Sequence, residues 1–172
     1  MNALVKAQAG AEQRQYLTFM LGGEMFSIGI LCIKEIIEYG GLTEVPMMPD
    51  CIRGVINLRG AVVPVMDLSS RFGKPSTAVT KRTCIVIIEV ETDGARQDMG
   101  VVVDAVNAVL EIPASEIEPA PSFGSKIRTD FIEGMGKVNG KFVIILNVNR
   151  VLSVEEIGAL AQVGEAAQLL PA

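Results

Sequence analysis

Histidine is absent from this 172-residue chain, and so is tryptophan. Without histidine the chain lacks the commonest general base and the commonest metal ligand at physiological pH. Ser-His and Cys-His nucleophile pairs and His-metal centres are thereby excluded. Cysteine is sparse: Cys32, Cys51 and Cys84 lie 19 and 33 positions apart. That spacing fits no CxxC zinc or redox pattern, and pairing any two would strand the third. Buried free thiols in a reducing, cytoplasmic setting are the expectation. Long apolar runs are missing too. The longest, CIVII at Cys84–Ile88 and FVIIL at Phe142–Leu146, fall far short of the roughly 20 residues of a membrane helix. No basic, apolar, small-residue series at the N-terminus suggests a signal peptide, and direct membrane insertion is not expected. Basic residues are outnumbered 15 to 20, for a formal charge of -5 and a pI of about 4.8, so nothing electrostatic favours nucleic acid as a partner.

What is present is aliphatic. Hydrophobic residues make up 49% of the chain and aromatics only 5%, so the interior must be built of Val, Ile, Leu and Met, a composition that favours strands. Residues 1–14, rich in Ala, Gln and Gly, read as a flexible leader. YLTFML and EMFSI flank Gly22-Gly23 as the arms of a hairpin. LCIKEII satisfies parts of both periods and reads as one helical turn running into a strand. Gly40-Gly41 interrupts it, and Pro46 and Pro49 bracket a loop holding Met47 and Met48. VINL and AVVPVMDL flank a second hairpin turn at Asn57–Gly60, with Pro64 suggesting an edge or a bulge. Asp67 stands where an N-cap would serve a short helix from Leu68 to Phe72.

Gly73–Thr80, GKPSTAVT, is the best linker, and it divides the ordered chain into expected halves at about 15–72 and 80–150. The second half predicts strands over Arg82–Glu91 and Met99–Ile112. A proline-rich extended loop follows, then a hairpin around Asn139-Gly140 with arms Phe131–Val138 and Lys141–Val148. Ser153 and Glu156 form a capping-box pattern for a C-terminal helix over 153–163, and 164–172 read as a tail. Many short strands punctuated by turns imply a mainly β fold of one or two small barrels. No sequence repeat of fixed period is visible, so any likeness between the halves would be structural.

No segment carries recognisable catalytic chemistry. GMGKVNG has glycines at GxGxxxG spacing, but it lies between strands, and a phosphate cradle requires a helix to open there. Phosphate-loop and calcium-loop patterns are missing. Glu116 with Glu118 and Glu155 with Glu156 read as solvated or as helix first-turn charge. No catalytic residue, metal or cofactor is expected. Arg59 stands apart, because folding requires no guanidinium in an Asn-Leu-Arg-Gly turn. It is a solvated turn charge, a clamp on Glu35, or a five-donor fork for a partner's carboxylate. Arg53 is a competing donor six positions earlier. A mean hydropathy of +0.40 exceeds what a small core absorbs, which points to an exposed protein-binding surface.

Several ordered motifs carry a family resemblance from about Tyr16 to Leu160. These are YLTFMLGGEMFSIGILCIKEI, PDCIRGVINLRGAVVPVMDL, GVVVDAVNAVL, and PAPSF ahead of the GMG and NG hairpin. Together they resemble CheW, the coupling-protein family of bacterial chemotaxis. The resemblance implies two packed, five-stranded, SH3-like barrels with short helices and a C-terminal helix, serving as a noncatalytic adaptor. Its implied partners are the chemoreceptor cytoplasmic tip and the regulatory domain of the histidine kinase CheA, with self-association in array rings left open. By the same likeness one barrel face pairs with the kinase domain and an apolar groove between the barrels receives the receptor's helical hairpin. Ile33, Glu35, Gly54, Arg59 and Gly60 fall on the family's sensitive first-barrel motifs; Val106, Val109 and Phe123 fall on second-barrel contact segments. An adaptor of a non-flagellar chemosensory array would look the same in sequence.

Overall fold

The structure is a computed structural model and describes residues 15–92, 94–120 and 129–152. The expected leader, the C-terminal helix over 153–163, the tail and Phe123 lie outside the described residues. The turn at Gly22-Gly23 joins β1 (Gln15–Leu21) to β2 (Glu24–Gly29), as expected. LCIKEII also resolves as read: a 3-10 turn at Ile30–Cys32 runs into β3 (Ile33–Glu38). The second hairpin is β4 (Ile52–Leu58) and β5 (Ala61–Asp67), closed by a two-residue turn at Arg59-Gly60. Asp67 caps the four-residue helix α1 (Leu68–Arg71) by accepting from the Ser70 amide.

Then follow β6 (Cys84–Thr92), β7 (Ala95–Val103) and β8 (Ala105–Glu111). The expected extended proline loop instead opens with a 3-10 turn at Ala114–Glu116 and the two-residue β9 (Ile117–Glu118). β10 (Ile132–Val138) and β11 (Lys141–Leu146) form the Asn139-Gly140 hairpin. Its second arm stops two residues early, because Asn147 accepts from the Arg150 amide and caps α2 (Val148–Val151).

The strands form two sheets, in the orders β8-β1-β2-β11-β10-β9 and β3-β6-β7-β5-β4. Set aside the two-residue β9, and each has five strands; a bridge from Thr43 to Val55 plays β9's part in the second sheet. The expected division at Gly73–Thr80 into barrels of 15–72 and 80–150 is therefore corrected. The hairpin β1-β2 leaves its own half to pair in parallel with β11, and β6-β7 leaves its half to pair in parallel with β5. Each half lends its first hairpin to the other's sheet. The linker is also not slack: Thr77 is buried and bound to Asp67. Pro64 is not on an edge strand, since β5 lies between β7 and β4; it sits just outside the parallel ladder, which begins at Val65.

Beneath this exchange lies a structural repeat. The pairings Ile52↔Met66, Gly54↔Val65 and Leu58↔Ala61 answer to Ile132↔Leu146, Gly134↔Ile145 and Val138↔Lys141, a constant displacement of 80 residues that includes the bulge. The caps Asp67 and Asn147 follow at the same displacement. The sequences largely diverge inside it: Ile52, Gly54, Gly60 and Val63 recur as Ile132, Gly134, Gly140 and Val143, with the spacing, the bulge and a cap.

β6 is buried on both faces, which explains its unbroken apolar run. Ile85 and Ile87 fill the β3–β7 barrel with Ile56, Val63, Val65 and Val102, while Val86, Ile88 and Val90 face the main core between the sheets. Phe19, Phe26, Phe72 and Phe131 run through that main core with successive centroids 6.3, 5.7 and 5.9 Å apart. Arg71 of α1 donates 2.8 Å to the carbonyl of Val151 in α2. One shared core and this helix contact bind the two barrels into a unit.

Candidate protein-interaction site

β3 and β4 are the two ends of the five-strand order, so no backbone ladder joins them. Side chains close that seam. Arg59 Nη2 donates to Glu35 Oε2 at 2.7 Å, joining the β4-β5 turn to the edge strand β3. The β3-β6 register shifts between Ile33 and Glu35, and Lys34 reaches Asp98 at 3.0 Å instead. The guanidinium side chain remains 74% exposed. Glu35 holds it more firmly protonated through the hydrogen bond and the adjacent charge. Only Nη2 is engaged among the described residues, so the other donors face outward. Glu35 Oε1 is buried without a donor.

The turn that presents Arg59 is conformationally demanding. Arg59 has φ 53° and Gly60 φ 88°, the pattern of a two-residue hairpin turn that favours Asn-Gly. Asn57 Oδ1 supports it by accepting from the Gly60 amide at 2.8 Å. At the matching turn of the second hairpin the fold uses Asn139 (φ 51°) and Gly140. Gly54, five residues before Arg59, has φ 155°, and a Cβ there would lie 2.4 Å from the Thr43 carbonyl oxygen. It is buried, and its lack of a side chain lets Thr43 and Glu44 approach β4 closely.

The other barrel differs at this seam. Val65 pairs with Gly100 and its counterpart Ile145 with Ser27, so Ile87 and Thr18, which face those residues across their hairpins, are equivalent. Glu35 lies opposite Ile87, whereas Thr18 faces the bulge at Ala108 and donates to its carbonyl at 2.8 Å. Ala108 thus takes the place of Glu35, as Asn139 takes that of Arg59, and Leu110 takes that of Ile37. Leu110 and Asn139 line an apolar groove of about 690 Å³ with Met20, Met25, Val138 and Phe142, and Phe142 is 51% exposed. Val109, exposed on β8, is adjacent to Leu110, whereas Val106 is half-buried against the main core. A smaller, mixed groove of about 330 Å³ runs between the barrels, lined by Leu31, Cys32, Val90 and Val148 together with the polar Glu89, Glu91, Arg96 and Asn149.

The expected residues consequently separate. Glu35, Arg59 and Gly60 assemble at one seam, with Ile33 two positions along β3; Val106 and Val109 belong to the other sheet. The apolar groove beside Phe142 was not read from sequence, although Phe142 stands in one of the two longest apolar runs. Among the described residues no His, Cys, Asp and Glu grouping suits a metal, and no helix is long and apolar enough to cross a membrane.

A family model, CheW-like domain, matches residues 15–156. The chain belongs to the CheW-like family. It is 32% identical to chemotaxis protein CheW of Klebsiella aerogenes over 152 residues, covering 88% of this chain and 89% of that one. With chemotaxis protein CheW of Bacillus subtilis the identity is 35% over 139 residues, 81% and 86% of the two chains. Protein FrzA of Myxococcus xanthus is 28% identical over 158 residues, 91% and 95%. Among solved structures, scaffolding protein TtCheW of Thermoanaerobacter tengcongensis superposes with a TM-score of 0.73 at 34% identity, covering 81% of this chain and 87% of that one. The two-barrel architecture and the adaptor class expected from sequence both hold: this is a chemotaxis scaffold of the CheW type, a noncatalytic family that couples receptors to a kinase.

Proposed function

We propose that this chain couples the cytoplasmic tip of a chemoreceptor to the regulatory domain of the histidine kinase CheA, and that the Arg59–Glu35 seam is a partner contact. One observation carries the assignment: an exposed arginine paired with Glu35 is kept in a left-handed turn where the same fold, in its other barrel, uses asparagine and has Ala108 at the place of Glu35. A residue in a costly conformation, with donors facing water, is selected for something other than folding.

Leu31, 68% exposed at the mixed polar and apolar groove between the barrels, with Ile33 two positions on, is the contact assigned to the receptor's helical hairpin. The apolar face of Leu110 and Phe142, flanked by Val109, suits a barrel of the same fold, as the kinase domain would supply. Phe123 remains a candidate contact. Working in membrane-associated receptor arrays follows from these protein contacts.

A reconstituted mixture of receptor, kinase and adaptor tests this reading. Arg59→Ala leaves the circular dichroism spectrum intact and lowers kinase activation. An unchanged activation curve at matched adaptor concentration refutes the assignment.

A further inference from the structure

Two arginines, six residues apart on one strand and its turn, cross the same open seam. Arg59 bridges to Glu35; Arg53, in β4, donates from Nη1 to Tyr39 Oη at 2.9 Å and lies 5.6 Å from the Tyr39 ring centre. Tyr39 follows directly on β3, the strand that carries Glu35. β3 is hydrogen-bonded only to β6 and is bulged between Ile33 and Glu35. Beyond the Thr43–Val55 backbone bridge downstream of it, the span of β3 from Ile33 to Glu38 is held to the β4-β5 hairpin by side chains.

Arg53 is itself rigidly held. Asp67, fully buried at the end of β5, accepts from Arg53 Nε at 3.0 Å and forms an ion pair in which Nη2 lies 2.9 Å away. The Thr77 amide donates 2.9 Å to the same carboxylate, and the Thr77 carbonyl accepts from Arg53. Such charge-assisted bonds in a planar fork fix orientation as well as distance. At the equivalent points of the other barrel stand an exposed Glu133 and Asn147. Among the described residues that barrel has neither this clamp nor an ion pair across its seam. The clamp and the displayed pair occur together.

We infer that Arg53 is a positioning residue, which through Tyr39 holds the β3 edge so that Glu35 and Arg59 present one preformed surface. The inference rests on the coupling role proposed above, and its test separates the two. Tyr39→Phe in the full chain removes the hydroxyl acceptor and keeps the ring. The Arg59 Nε–H and Glu35 carboxyl resonances read the pair with no partner present, and titration with a receptor-tip fragment reads binding. Both resonances shift in Tyr39→Phe, the melting midpoint stays within about 2 °C, and affinity falls about fivefold. That loss disappears in an Arg59→Ala background, because the two changes act through one contact. Arg53→Lys shifts the same resonances. Unmoved resonances, or an equal loss of affinity in the native and Arg59→Ala backgrounds, overturn the positioning role. If the native chain does not bind the fragment, the coupling role fails, while the resonances still decide the role of Arg53.

Discussion

Arg59 and Asn139 occupy the same position in two hairpins of one repeat, with φ of 53° and 51°. Asparagine tolerates the left-handed conformation through local hydrogen bonding, whereas arginine has no such relief. Arg59→Asn is therefore expected to keep or raise the melting midpoint, by about 1–3 °C, while lowering kinase activation. A variant that melts lower shows instead that the Glu35 ion pair supports the barrel.

Gly54 and Gly134 are the second pair of counterparts, each beneath the short segment that covers its strand. A Cβ on Gly54 meets backbone, the Thr43 oxygen at 2.4 Å, at φ 155°; on Gly134 the nearest atom is an Ile117 side-chain methyl at 2.7 Å. Backbone held by two hydrogen bonds cannot yield as a side chain can. Gly54→Ala should cost about 3 kcal/mol and Gly134→Ala about 1 kcal/mol in urea unfolding. Equal losses would count against the close approach.

The two caps differ in what they hold. Asp67 joins Arg53, Thr77 and the Ser70 amide in the interior, and its removal leaves Arg53 without its anion. Asp67→Ala should lose about 3–5 kcal/mol, against about 1 kcal/mol for Asn147→Ala, which forfeits a cap alone. Denaturant titration of both variants checks the ranking.

Burial, opposed by a backbone hydrogen bond and reinforced by Glu133, pushes the Cys32 thiol up to about 11. The folded state keeps the Cys32 proton longer than the unfolded chain does. Its contribution is thus present at neutral pH and is lost as pH rises from about 9 through 11. Alkaline destabilisation of about 1–2 kcal/mol over that window should be reduced in Cys32→Ala. Iodoacetamide should modify Cys32 slowly at pH 8, since little thiolate exists there.

Local chemistry was legible wherever a short stretch decides its own conformation. Gly22-Gly23, Asn139-Gly140 and the glycine of Arg59-Gly60 mark their turns because positive φ is cheap for so few residues. The Asp67 cap and the helical turn leading into β3 likewise need only neighbours in sequence. Arg59 attracted notice for the same reason, as a charge in a turn that requires none. The groove around Leu110 and Phe142 stayed hidden because its walls come from β1, β2, β8, β10 and β11.

From sequence alone, then, follow the strands, the turns, the absence of histidine chemistry and the likeness to coupling proteins. Which hairpin joins which sheet does not follow, because an apolar strand such as β6 matches either barrel equally well in composition. The choice is made by the parallel pairing of β5 with β7 and of β2 with β11 and by the shared phenylalanine core. Tertiary structure also supplied the internal partner of Arg59. Glu35, 24 residues away, lies at 2.7 Å across a seam that no backbone ladder closes, yet the guanidinium stays 74% exposed. The internal clamp and the outward-facing donor are one side chain, since a five-donor fork can satisfy a neighbour and still face water.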